Sequence, residues 1–250
     1  MLYRTNAIII RSMDYGEGNK IVTLLTEGGS KAGVIIRGAK KARSRHGSLA
    51  QPFTYGEFVF FRGGGGGLGT LNHGEIMESN HLLRERLELA AYASYAAELA
   101  DRTLQDDEAD PFLYAQLKAC FEAMQQDKDP QIVSHLFEMK VLQRAGYDPQ
   151  LNACISCESE EGPFAVSAGG GGVLCRRCMH RDPYAIRLSE GAMKVLRLFR
   201  SLDLRRLGNV TLKQETKTEV KKAMRRLLDT HIGLQLKSRS FLDQMDKYEL

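Results

Sequence analysis

Lys20-Ile21-Val22-Thr23-Leu24-Leu25-Thr26, Glu27-Gly28-Gly29-Ser30, Lys31-Ala32-Gly33-Val34-Ile35-Ile36-Arg37: this stretch reads as two β-branched strands joined by a glycine turn. Working outward, Thr5 to Arg11 holds the run Ala7-Ile8-Ile9-Ile10, and Asp14-Tyr15-Gly16-Glu17-Gly18-Asn19 is a turn cluster. Phe53 to Phe61 alternates aromatic and polar residues in part, and Leu68 to Met77 follows the run Gly63 to Gly67. Five strands within residues 1–79 is the size of a small closed barrel such as an OB-fold. An SH3-like barrel has the same strand count. The long connection after the third strand favours the OB-fold, which tolerates an insertion there.

That connection is basic. The net charge is only +4, but no acidic residue lies between Glu27 and Glu57, where Lys31, Arg37, Lys40, Lys41, Arg43 and Arg45 fall. One-signed clustering of this kind is the footprint of a polyanion site, although a solvated loop has the same composition. Aromatic residues lie close by: Tyr15, Phe53, Tyr55, Phe58, Phe60 and Phe61. Bases stack on exposed rings while cations follow the phosphates. At least half of these rings belong to a barrel core, since aromatics at alternating strand positions usually do. Tyr15 and Tyr55 are the surface candidates.

From Ser79 the texture becomes helical. In His81 to Leu104, Leu83, Leu87, Ala90, Ser94 and Ala97 recur at spacings of three and four. Asp110-Pro111 and Asp129-Pro130 each combine an N-cap with a first-turn proline. The segment Gln131 to Ala145 puts Ile132, Leu136 and Met139 on one face, and Gly146 is its C-cap. Helices resume after Ser189 and again over Leu212 to His231, where Lys217, Lys221, Lys222, Arg225 and Arg226 form a second basic surface. Most such faces are merely solvated; this one is a candidate for nucleic acid on charge alone. The tail from Leu234 has too few periodic apolar residues to assign.

Two hooks interrupt the helical part: Cys154-Ile155-Ser156-Cys157 and Cys175-Arg176-Arg177-Cys178. Four thiolates at this spacing suit tetrahedral Zn²⁺, one ion per chain. Disulfides, a redox pair and isolated buried cysteines are the competing readings. Disulfides would leave Cys120 over and would suit a much smaller secreted chain. An all-cysteine site is closed, so it holds structure and does not activate water. The sequence therefore predicts an α+β chain: an OB barrel over 1–79 and a helical domain over 80–250 interrupted by a zinc module at 150–185.

No apolar run approaches the roughly 18 residues that span a membrane. Reduced cysteines and the lack of a recognisable leader point to the cytoplasm. The Gly63 to Gly67 run leads into Leu68-Gly69-Thr70 rather than the lysine of a phosphate cradle, so no nucleotide hydrolysis is indicated. Neither a His-Glu-x-x-His pair nor an open metal position supports a zinc-dependent nuclease. A protein-binding adaptor with weak DNA contact stays open as an alternative.

The chain resembles the family of bacterial recombination mediators called RecO. The resemblance is carried, in order, by Asp14-Tyr15-Gly16-Glu17 with Asn19 to Thr26, Arg37-Gly38-Ala39-Lys40-Lys41, Gln51-Pro52-Phe53 and Gly67-Leu68-Gly69-Thr70-Leu71. The paired hooks, Leu207-Gly208-Asn209-Val210 and Lys237-Ser238-Arg239-Ser240-Phe241-Leu242 complete it. It implies an N-terminal OB-fold, a helical domain with an inserted zinc module, and a non-enzymatic role in DNA repair. It further implies binding and annealing of single- and double-stranded DNA, contact with the tail of the single-stranded-DNA-binding protein, and work with RecR in loading RecA. The family's basic barrel surface maps onto Lys31, Arg37, Lys40, Lys41, Arg43 and Arg45. Gly63 to Gly67 and Gly169 to Gly172 are richer in glycine than the family pattern.

Overall fold

A computed structural model describes residues 1–44, 46–64, 67–106 and 108–248. Five strands, β1 (Leu2–Tyr15), β2 (Asn19–Thr26), β3 (Lys31–Ile36), β4 (Tyr55–Phe61) and β5 (Gly69–Glu78), close into a barrel of order β1-β2-β3-β5-β4. Antiparallel pairing of β1 with β4 and a short parallel contact between β3 and β5 complete the closure, which is the OB arrangement. The strands alternate as a barrel requires: Ala7, Ile9, Val22, Leu24, Val34, Ile36, Phe58 and Phe60 fill the interior. The first hairpin is longer than its sequence suggests. Pairing continues to Tyr15 and Asn19, because Gly16, at φ 60°, lets the chain reverse within three residues.

The basic connection after β3 is not a free loop. Ala39, Leu49 and Ala50 are buried in the barrel core, so the segment turns back and plugs one end of the barrel. Asn19 Oδ1 accepts from the Gly38 N–H (2.9 Å), and Gly18 O accepts from the Lys40 N–H (3.1 Å). Ser12 Oγ donates to Ala50 O (2.7 Å). Apolar anchors at both ends of the segment leave Arg37, Lys40, Lys41 and Arg43 exposed.

Gln51-Pro52-Phe53 joins the barrel to helices. Phe53, at φ 69°, donates its N–H to Ile9 O (2.8 Å) and meets Phe121 edge-on at 5.3 Å. Its carbonyl accepts from Asn80 Nδ2 (2.7 Å), and Pro52 O from Arg84 Nη1 (2.8 Å). The expected helix from residue 81 is interrupted: α1 (Leu82–Glu85) and α2 (Leu87–Thr103) are separated by Arg86 in an extended conformation. α3 (Pro111–Gln125) starts where Asp110 Oδ1 accepts the Leu113 N–H (2.9 Å). The tail left unassigned by sequence is a helix, here taken out of chain order as α7 (Lys237–Tyr248), packed on α2. Glu98 on α2 accepts from the N–H groups of Lys237 (3.1 Å) and Ser238 (2.8 Å) and so caps α7 from outside. Residues 1–127 and 236–250 form one compact unit.

Residues 128–235 form the second. Its central helix, α4 (Pro130–Arg144), is buried almost all round rather than on one face; even Ser134, His135, Glu138 and Lys140 are inside. Partners meet some of these groups: His135 Nδ1 lies 2.8 Å from Glu138 Oε2, and Lys140 Nζ donates to Arg200 O (2.9 Å), whereas Ser134 Oγ and His135 Nε2 are buried without a hydrogen-bond partner among the described residues. A small sheet follows, built of β6 (Gln150–Cys154), β7 (Phe164–Ser167), β8 (Gly172–Cys175) and β9 (Ile186–Arg187) in the order β6-β8-β7-β9. α5 (Glu190–Ser201) and α6 (Gln214–His231) pack against α4. Among the described residues no helix is long and apolar enough to cross a membrane.

Candidate metal centre and nucleic-acid surfaces

The two hooks converge. The sulfurs of Cys154, Cys157, Cys175 and Cys178 all lie within 4.8 Å of one another, and none of the five cysteines forms a disulfide. Strand pairing does the positioning: β6 ends at Cys154 and β8 at Cys175, and Cys154 is in register with Val173. The fifth cysteine, Cys120, is fully buried on α3, where burial pushes its thiol up.

The electrostatics of the four sulfurs are in conflict without a cation. Burial opposes ionisation of Cys154, but N–H groups of Cys175, Ser156 and Cys157 donate to its sulfur and bring the thiol down to about 6. At Cys157 the Ser159 N–H favours the thiolate, yet the sulfurs of Cys175 and Cys178 outweigh it and hold the thiol up at about 11. The Arg177 guanidinium hydrogen-bonds Cys175 and is raised by it, which gives that residue a local role beside the sulfurs. Donors of this type in this arrangement can hold a metal ion.

The glycine run Gly169 to Gly172 belongs to this centre. A Cβ at Gly172 would lie 2.5 Å from the Ile155 side chain and 2.6 Å from Gln150 O, so that position must be glycine beside the first hook, and Gly171, at φ 75°, makes the turn; a Cβ at Gly169 would meet nothing.

On the barrel, Arg37, Lys40, Lys41 and Arg43 are exposed on the plug, with Tyr15 nearby in sequence and 49% exposed. Lys40 is already engaged: its Nζ lies 2.6 Å from Asp14 Oδ2, and Lys20 approaches the other oxygen at 3.8 Å. Asp14 is held below the usual carboxylate range by Lys40 foremost. Sequence alone read Asp14 only as a turn residue; nothing in local spacing pairs it with a cation 26 positions on. Arg45, and Gly65 and Gly66 of the first glycine run, lie outside the described residues.

Two other candidates are placed differently. Lys31 is 12% exposed and bound to Asp101 O (2.9 Å) and Asp106 Oδ1 (3.0 Å), so it ties β3 to the end of α2. Tyr55 has Lys118 Nζ over its ring at 4.6 Å and hydrogen-bonds Tyr114, whose hydroxyl is pushed up by burial first and by Tyr55 among others. On α6, Lys217 pairs with Asp129, the N-cap of α4. Lys222 and Arg226 are exposed, whereas Lys221 and Arg225 are half-buried and engaged.

A closed OB barrel with a basic plug, followed by a helical part whose inserted small sheet brings together four cysteines that could hold a metal ion, defines a two-part protein of the OB-fold class. The chain matches the family description "Recombination protein O N terminal" over residues 1–80 and "Recombination protein O C terminal" over 84–240. It is 43% identical over 246 residues to the DNA repair protein RecO of Bacillus subtilis strain 168, covering 98% of this chain and 96% of that one. It is 40% identical to the same-named proteins of Listeria monocytogenes EGD-e, over 98% of this chain and 96% of that one, and Bacillus cytotoxicus, over the full length of both. The chain belongs to the RecO family of DNA repair proteins.

Proposed function

We propose that the chain is a DNA-binding recombination mediator. It binds single- and double-stranded DNA, anneals complementary strands and, with RecR, helps load RecA onto DNA coated by the single-stranded-DNA-binding protein, in the cytoplasm at the nucleoid. Residues 1–79 carry the DNA; residues 80–250, with the module at 150–185, carry the protein partners. The observation behind this reading is the plug: Arg37, Lys41 and Arg43 project from a segment anchored in the barrel by Ala39, Leu49 and Ala50. Anchored cations lose less freedom on meeting phosphate than cations on a mobile loop. Annealing needs no covalent chemistry. It needs phosphate repulsion screened and two strands held close, so the reading assigns no catalytic residue.

Zn²⁺ fits the cysteine centre. In a tetrahedron with Zn–S of about 2.3 Å the sulfurs stand roughly 3.8 Å apart; Cys157 and Cys175 already stand at 3.6 Å. Bound there, the ion would supply structure, with all four positions filled by Cys154, Cys157, Cys175 and Cys178. For the acidic tail of the single-stranded-DNA-binding protein, the exposed Lys222 is the candidate cation on α6.

The test is a salt titration of single-strand affinity together with an annealing assay on Arg37→Ala/Lys41→Ala/Arg43→Ala. Three cations removed lower the slope of log K against log salt by up to about 2. Affinity falls alike for every base sequence, because phosphate contacts carry no sequence information. Annealing falls with it. An unchanged slope and annealing rate overturn the reading and favour a protein-binding adaptor.

A further inference from the structure

A second basic site lies in the other unit, where no barrel residue takes part. A cleft of about 690 Å³ opens between the β7–β8 turn, the segment after the second hook, and the last turns of α6. Arg181 and Arg226 line it from opposite elements. Both are exposed, and neither guanidinium has a hydrogen-bond or ion-pair partner among the described residues. Tyr184 also lines it, with 75% of its surface exposed.

The exposure of Tyr184 is built in. Asp182 Oδ1 accepts the Tyr184 N–H (2.8 Å), Asp182 Oδ2 accepts from Ser167 Oγ (2.6 Å), and Asp182 O accepts the Ala185 N–H (3.1 Å). The turn that presents the ring is thus fixed to β7, while the ring packs on little. Asp182 is the one carboxylate among the cleft's lining residues, and these bonds occupy it. Gly169 and Gly170 contribute no side chain to the wall. Ser156 Oγ, also in the lining, is buried without a hydrogen-bond partner. The far wall is fixed as well: His231 Nε2 lies 2.9 Å from Ala168 O and ties α6 to the turn.

Two exposed guanidinium groups without a side-chain partner among the described residues and a rigidly mounted ring in an open cleft match a nucleotide chain. Guanidinium takes phosphate in a forked hydrogen bond, and an exposed aromatic face takes a base. An acidic peptide would use the cations but would leave the ring's face without a specific partner. We propose that this cleft binds single-stranded nucleic acid: Arg181 and Arg226 hold phosphate and Tyr184 stacks on a base. It is a strand site separate from the barrel plug. One chain then holds two strands at once, as annealing requires.

The chain contains no tryptophan, so Tyr184→Trp installs a single indole, excited selectively over the tyrosines, in the full-length, metal-loaded protein. Stacking on a base quenches indole emission, and oligo(dT) is the probe. The expected result is saturable quenching that persists when Arg37, Lys41 and Arg43 are replaced by Ala. Quenching disappears in Arg181→Ala/Arg226→Ala with metal content unchanged; if that pair loses metal, Arg226→Gln alone, on α6 and outside both hook segments, replaces it. In the plug-variant background, Tyr184→Ala weakens oligo(dT) binding roughly tenfold or more. In the otherwise native chain, the arginine pair still binds oligo(dT) by anisotropy but anneals complementary strands more slowly. Emission unchanged while anisotropy shows the oligonucleotide bound would overturn the proposal. Emission that answers an acidic peptide and not oligo(dT) overturns it too. Loss of quenching in the plug variant alone would place the bound strand on the barrel and reject a second site, leaving the barrel reading intact.

Discussion

On the proposed reading of the plug as a phosphate site, the Asp14 carboxylate should hold back part of its charge from DNA. It binds Lys40 at 2.6 Å and Lys20 at 3.8 Å, on the rim from which Arg37, Lys41 and Arg43 project. Asp14→Asn keeps the shape and removes the charge, freeing one cation certainly in contact and a second at longer range. Each additional phosphate neutralised on a single strand steepens the salt slope by about 0.7, so the variant gains between ~0.7 and ~1.4. Over a fourfold rise in salt, from about 50 to about 200 mM, affinity should then fall by an extra factor of roughly 3 to 7 relative to the native chain. At the low-salt end the variant binds more tightly.

The assay is fluorescence anisotropy with oligo(dT) across a salt series. The control is Lys40→Met in the Asp14→Asn background, which should return most of the gain. Fold stability should barely move, because both partners are solvent-exposed and surface pairs contribute little. A native slope in Asp14→Asn would refute the reasoning, since it would show that Lys40 does not reach phosphate even when free. A gain that survives Lys40→Met would also refute it, by tracing the effect to the lost negative charge alone.

Three further outcomes concern the scaffold. Gly29→Ala should cost upward of about 2 kcal/mol in urea unfolding, because Gly29 has φ 85° and its Cβ would lie 2.1 Å from Asp110 C. Lys140→Ala should cost about 2–4 kcal/mol, from lost stem packing and the hydrogen bonds to Arg200 O and Gln143 Oε1, read by the same method. Burial opposes ionisation of Glu98, but Ser238 and the Lys237 N–H overcome it and leave the carboxyl below its ordinary range. A depressed folded value contributes stability above the unfolded value and loses it as pH falls through the folded one. Protection factors at the start of α7, the exchange rates corrected for their intrinsic pH dependence, should therefore fall as pH drops below the ordinary glutamate value of about 4.3, and Glu98→Gln should abolish that step; an unchanged profile counts against the external cap.

The barrel was legible because its strands carry their own periodicity: Val22, Leu24, Val34 and Ile36 alternate inward as a half-buried sheet demands. The hooks were legible because Cys-x-x-Cys is a local pattern in its own right, and the fold brings the four sulfurs within 4.8 Å of one another. What escaped depends on partners distant in sequence. Lys31 belongs to a run of cations, yet Asp101 and Asp106 engage it, and no local pattern announces a carboxylate 70 residues on. The basic connection looked like a loop because Ala39, Leu49 and Ala50 are too few and too irregular to show a period, though three small apolar anchors suffice to plug a barrel end. α7 stayed unassigned since it buries little besides Met245 and owes its start to Glu98, far away on α2. Tyr184 gave no signal, because a ring in a loop says nothing until its exposure is known.

Cys175→Ser tests whether the metal centre and the cleft form one device. Cys175 ends β8, and its carbonyl accepts the Cys178 N–H at 2.9 Å. The Cys178 carbonyl in turn accepts the Arg181 N–H at 3.0 Å, which leads directly into Asp182 and the turn that mounts Tyr184. A four-thiolate centre holds Zn²⁺ with an apparent free energy on the order of 10–16 kcal/mol, far more than this small sheet can supply from burial. Replacing one thiolate should therefore release the ion and, through that chain of bonds, loosen residues 150–185. Elemental analysis should fall from about one zinc per chain to a small fraction, while hydrogen exchange in β1 to β5 stays native. Tyr184→Trp quenching by oligo(dT) should vanish in the same variant, with plug-dependent binding retained. Zinc lost with quenching intact would show that the β7 contacts alone hold the turn; zinc retained at full occupancy would mean that Cys175 is not a ligand.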